Sequence, residues 1–208
     1  MRKTLGLLMV FCLVLSAGGG QASGLLESLW GTPLPAATES PTPAPSASPA
    51  GAFRFRGSIG WDMSRDLVKA LESIPLMGRD NGSWSILVPL SPVEVSKFTA
   101  DLVYMFYNDQ LKMINYSFTQ GSESGFQYLT GALDSLYGSH GEPAAEEIVL
   151  FIDQIYPGHY QASQLTRRCG WTLGEGTLIF LYSLSETSYE ILYVNAAGYT
   201  SAYNTTGL

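Results

Sequence analysis

Charge is scarce in this 208-residue chain, where Asp, Glu, Lys and Arg make up 14% of residues against 46% hydrophobic. That balance excludes a chain disordered throughout, because disorder needs many charges and few apolar groups. Basic residues are scarcer still: 11 Lys and Arg against 18 Asp and Glu leave a net charge of −7. A nucleic-acid partner is therefore not expected, since neutralising phosphates takes a surplus of cations. Two cysteines are too few for a disulfide scaffold. No apolar run reaches the roughly 18–20 residues of a membrane span. Histidine occurs twice, at His140 and His159, with no partner at zinc-ligand spacing and no HExxH or CxxC pattern. The chain also lacks GxSxG, a phosphate loop, GxGxxG and a calcium-loop pattern. These absences lead to the expectation of no metal, no cofactor and no catalytic residue set.

What the chain does have begins at its start. Arg2 and Lys3 precede an uncharged greasy run from Leu5 to Ala17, followed by Gly18, Gly19, Gly20, Gln21 and Ala22. A basic start, a short apolar core and a small-residue exit predict a secretory leader over 1–22. Cys12 follows the large Phe11, which does not suit lipidation, so its removal with the leader is expected. Losing Arg2 and Lys3 takes the net charge to −9 and leaves Cys169 as the lone thiol. A lone thiol favours a bacterial exported protein, extracellular or associated with the cell surface, with no membrane span once the leader is cut. The Asn-x-Ser/Thr patterns at Asn81, Asn115 and Asn204 are then chance matches. Residues 23–52 read as a linker: Pro33, Pro35, Pro41, Pro43, Pro45 and Pro49 are spread among Ala, Ser and Thr, and proline removes backbone donors and favours extended chain.

Residues 53–208 have the size of one domain. Phe53 to Arg56 alternates like a strand, and Ser64 is placed to cap a helix with Met63 and Val68 at staple positions. Asp80, Asn81 and Gly82 signal a turn before a strand over Trp84–Val88. Ala100, Leu102, Tyr104 and Phe106 share one strand face, Asn108 and Asp109 turn the chain, and Ile114, Tyr116 and Phe118 share the face of the returning strand. Helical spacing runs from Tyr128 to Tyr137 and closes at Gly138; Pro143 opens a second pattern through Ile148, Val149, Ile152, Ile155 and Tyr156. Strands are predicted over Thr166–Thr172, Thr177–Ser183 and Tyr189–Val194. Adjacent strands with short turns predict an α+β fold, an antiparallel sheet with helices packed on one face. Gly57–Leu71 and Gly121–Leu136 both run from a Gly/Ser loop through an aromatic into a helix, making the halves candidate diverged copies of one helix-plus-strands unit.

The 12 tyrosines suggest a binding surface, because tyrosine is stiff and amphipathic, although aromatics also suit half-buried sheet faces. The candidates for an exposed aromatic ligand-binding set are Tyr107, Tyr160, Tyr199 and Tyr203. Cys169 with His159 as base is the one conceivable nucleophilic pair, with Arg167 and Arg168 nearby, although a lone strand cysteine is more often buried and inert. Glu142, Glu146, Glu147 and Asp153 read as a solvated helix face.

Phe53-Arg54-Phe55-Arg56-Gly57, then Trp61, Met63 and Ser64 running on to Val68 and Glu72, resembles a segment of uncharacterised exported proteins of Gram-positive gut bacteria. The resemblance covers 53–72. In architecture alone, the order of elements is similar to the helix-plus-sheet repeats of β-lactamase inhibitory protein and of small outer-membrane assembly lipoproteins, which carries over no functional residue. Three functions remain open at this point. The first is a non-enzymatic exported interaction module of the envelope or secretome, binding a protein or envelope polymer. The others are a Cys169-dependent hydrolase and a structural envelope component.

Overall fold

The computed structural model describes residues 53–197. The expected leader, the linker, Tyr199 and Tyr203 lie outside them. The elements are α1 (Arg65–Leu71), β1 (Leu76–Asn81), β2 (Trp84–Pro89), β3 (Val93–Val95), β4 (Phe98–Tyr107), β5 (Gln110–Phe118), α2 (Glu123–Tyr137), α3 (Ala145–Ile152), β6 (Arg167–Thr172), β7 (Thr177–Ser183) and β8 (Tyr189–Asn195). The fold is α+β. Every strand pairing is antiparallel, in the order β1-β2-β4-β5-β8-β7-β6, with β3 beside the first residues of β4.

Local chemistry sets the element ends. Ser64 caps α1 by accepting from the Leu67 N–H at 3.3 Å, and Pro75 follows soon after its last turn. Ser122 caps α2 through the Gly125 N–H at 3.1 Å, and Gly138 ends it at φ 90°. Asn108 and Asp109 take positive φ of 48° and 61°, as a two-residue hairpin turn requires. Phe106 pairs with Leu111 and Met105 with Met113, so Lys112 is the extra residue of a bulge, and its ammonium pairs with Asp62.

The predicted hairpin faces hold. Ala100, Leu102, Tyr104, Phe106, Ile114, Tyr116 and Phe118 join one core cluster with Leu181, Ile191 and Tyr193 on the first face of the sheet. Val68 of α1 and Phe126, Leu129 and Leu133 of α2 pack onto it. Gly121 makes room there: a Cβ on it would lie 1.9 Å from the Tyr189 ring.

The distribution of helices differs from the expectation of one face. Ala145, Ile148, Phe151 and Ile152 of α3 join Met105, Met113, Phe180, Tyr182, Leu192 and Val194 in a second cluster on the other face. Strand alternation explains this: β7 and β8 are apolar on both faces, and Met105 and Met113 add to the second, so both need cover. Each half runs from a Ser-capped helix on the first face through strands that step from an outer edge inward, and the last strands, β5 and β8, meet at the centre.

Three expectations shift. Residues 53–56 form no strand. Phe55 bridges Ile59 instead, around Arg56 and Gly57 at φ 48° and 84°. β1, unsignalled by alternation, forms against β2. α3 stops at Ile152, so Tyr156 falls beyond it and is exposed.

Candidate functional site

The second face is covered over only part of its width. Ile148, Phe151 and Ile152 of α3, followed by Ile155 and Leu165, bury the half built on β5, β8 and β7. On β1, β2 and β4 the apolar side chains of that face are Met105, which is buried, and Met77, Trp84, Ile86, Val88, Val103 and Tyr107, which keep partial exposure, Met77 at 37%; Arg79, opposite Ile86, and Asn81, opposite Trp84, share the face. Met77 lies opposite Val88, Ile86 opposite Met105 and Trp84 opposite Tyr107. The Trp84 and Tyr107 rings pack with centroids 5.1 Å apart, inclined at 54°. Trp84, Ile86 and Val103 pack against the cluster that holds α3, yet they stay partly exposed.

The two sheet edges also differ. β6 is shielded: Gly141 and Gly170 exchange backbone hydrogen bonds of 2.8 and 2.9 Å, and the Arg168 guanidinium donates to the Leu165 and Pro143 carbonyls at 2.7 and 3.0 Å. β1 pairs only with β2 among the described residues, and five of its six residues are exposed. An open edge and an adjoining apolar half-face make a surface suited to an extended or flat partner.

A polar row crosses the second face beside this surface. Cross-strand register aligns Asp101, Ser117, Glu190, Tyr182 and Arg168 on five neighbouring strands. Glu190 is 6% exposed. Its carboxylate accepts from Tyr182 at 2.5 Å, Ser117 at 2.7 Å, and Asn115 Nδ2 and the Tyr160 hydroxyl at 3.2 Å each. Four donors stand in for a cation, and none of the described ion pairs involves Glu190. Burial and the neighbouring Glu190 charge push the Tyr182 and Tyr160 phenols well up, so both remain hydroxyl donors. Burial also raises the Asp101 carboxyl above the ordinary aspartate range. With its Nδ2 bonded to Glu190, Asn115 is held inward.

The sequence candidates fall in separate places. Tyr107 belongs to the open half-face. Tyr160 is mostly buried, its hydroxyl spent on Glu190 and its ring edge-on to His159 at 4.6 Å. Tyr107 is six residues along β4 from Asp101, about 20 Å from that row at strand rise, so these two tyrosines form no common patch. Cys169 is buried in the first-face cluster, with Thr130 Oγ1 of α2 3.9 Å from its sulfur, and burial pushes its thiol up. His159 sits against Tyr160 over the second face. The sheet lies between the two, and the pair lacks the hydrogen-bond reach of nucleophile and base. His140 places Nδ1 2.9 Å from Asp134, which holds that carboxyl below the ordinary range; Trp171 Nε1 donates to Asp134 at 3.1 Å and to the Gly138 carbonyl at 2.9 Å, locking the end of α2. Glu142, Glu146 and Glu147 are exposed.

Sequence reasoning missed the role of Glu190, whose signal was a charge inside an otherwise apolar strand. It also missed the open half-face, which depends on where α3 stops. No helix among the described residues is long and apolar enough to cross a membrane. No protein-family model, curated protein or solved structure matches the chain.

Proposed function

We propose that this chain is an exported, non-enzymatic binding module that docks an apolar protein surface on the open half-face of β1, β2 and β4. One observation carries the reading: Met77, Trp84, Ile86, Val88, Val103 and Tyr107 lie on three neighbouring strands, partly exposed, beside an unpaired edge. Solvated apolar groups clustered this way favour association, at roughly 25 cal/mol per Å² removed from water. The aliphatic majority favours a protein over a carbohydrate, because sugar stacking needs free ring faces and the Trp84 and Tyr107 rings pack on each other. Export rests on the leader pattern at 1–22, and the Pro-rich stretch that follows would hold the module away from its point of attachment.

Met77→Lys with Ile86→Asp tests the reading. Both positions are partly exposed, so the double variant should keep its far-UV circular dichroism and lose no more than about 2 kcal/mol of stability. Immobilised wild-type chain should retain an envelope protein that the folded variant retains about tenfold less. Equal retention by the two would remove the half-face from the function.

A further inference from the structure

The segment Phe53–Gly60 forms a hook over the first face, on the opposite side of the sheet from the proposed docking surface. Its backbone hydrogen bonds close on itself: Phe55 N–H donates to the Ile59 carbonyl at 2.7 Å, and Ile59 and Ser58 donate back to the Phe55 carbonyl at 3.0 and 3.3 Å. Among the described residues the hook shares no backbone hydrogen bond with the sheet. That contact begins only at Asp62, whose N–H donates to the Leu111 carbonyl at 3.1 Å. Side chains alone seat the hook. Phe55 lies 5.5–5.8 Å from the rings of Tyr104, Tyr116 and Tyr193, and Phe53 stacks on Trp61 at 5.0 Å. Ile59 is buried.

The next residue makes the seat selective. Arg56 Nε is 3.0 Å from the Glu72 carboxylate, whose side chain is 3% exposed. Glu72 takes a further hydrogen bond from Tyr104. An aromatic socket with a buried carboxylate at its rim is complementary to an aromatic side chain followed by arginine. The hook meets that demand from within the chain, and it does so with Arg56 in left-handed backbone at φ 48°, a conformation unfavourable for a residue with a Cβ.

We infer that the cleft lined by Tyr104, Tyr116, Tyr193 and Glu72 is a peptide-binding site for an aromatic–arginine segment, which the chain's own Phe55-Arg56 fills as a detachable latch. Opening it breaks side-chain contacts and the Arg56–Glu72 pair while leaving every strand pairing in place. A segment presenting the same two side chains in trans competes for the vacated cleft.

The test uses the full chain with Phe55→Ala and Arg56→Ala, and a labelled synthetic peptide of the sequence at 51–60 as the probe. Fluorescence anisotropy should show saturable binding to the variant, about tenfold or more tighter than to wild type, and none for a peptide carrying alanine at both key positions. In wild type, hydrogen exchange of the Phe55 and Ile59 amides should run about tenfold or more faster than that of β5 and β8. A folded variant that ignores the peptide overturns the inference. So does exchange of Phe55 and Ile59 at the rate of the central strands, a result that decides the matter even if the variant fails to fold. Neither outcome bears on the half-face of β1, β2 and β4, since this inference does not rest on that reading.

Discussion

Tyr182→Phe isolates the interaction that holds the buried carboxylate of β8. Tyr182 is 1% exposed and lies directly across from Glu190 in the β7–β8 register. Its hydroxyl donates to Glu190 Oε2 at 2.5 Å, while Ser117 and Tyr160 serve Oε1. Phenylalanine keeps the ring and its packing in the second cluster but leaves Oε2 with the 3.2 Å bond from Asn115 alone. A hydrogen bond to a charged group contributes about 1.5–3 kcal/mol, so the expected loss is about 2 kcal/mol. For a domain of this size that lowers Tm by roughly 4–8 °C. Urea unfolding followed by far-UV circular dichroism should show a lower midpoint at unchanged slope. Tyr160→Phe removes a longer bond at a less buried place and should cost about 1 kcal/mol or less. In a background already carrying Glu190→Gln, Tyr182→Phe should cost at least about 1 kcal/mol less than in wild type, because the pair is in direct contact. A loss under about 0.5 kcal/mol for Tyr182→Phe, or a larger loss for Tyr160→Phe, would refute the claim that this bond carries the carboxylate.

Two further outcomes follow from titratable groups. Burial raises the Asp101 carboxyl, so the fold favours its protonated form. The stability this group contributes is present below the ordinary aspartate range and is lost as pH rises through the raised folded value. Asp101→Asn should therefore stabilise the protein at neutral pH, by under about 1 kcal/mol since the group is half-buried, and the gain should vanish in acid; a gain equal at both pH values would contradict desolvation as the cause. Burial also keeps the Cys169 thiol protonated and covered, so iodoacetamide at neutral pH should label it only after unfolding, read by mass spectrometry of its peptide. Labelling of native protein at the unfolded rate would reopen the nucleophile reading.

Much of the fold was legible where a local rule applied. Alternation over Ala100–Phe106 and Ile114–Phe118 named the buried face of the central hairpin, and Ser64 and Gly138 marked helix ends by capping chemistry. Other features had no local signal. Leu76–Asn81 contains glycine and charges and becomes a strand because β2 offers a free edge. Phe53–Arg56 alternates like a strand but closes on itself once Arg56 and Gly57 turn left-handed. The pairing of Cys169 with His159 was a proposal about proximity, and proximity depends on which face each group meets.

The sequence by itself determined the antiparallel α+β class and most strand positions, because periodicity, capping and composition act within a few residues. Tertiary structure alone decided that α3 covers the second face in part, leaving Met77, Trp84 and Ile86 partly exposed, and that Glu190 sits among four donors from three other segments. Those outcomes depend on strand register and on the reach of one short helix. Register joins residues more than 70 positions apart, and no nearest-neighbour pattern encodes that distance.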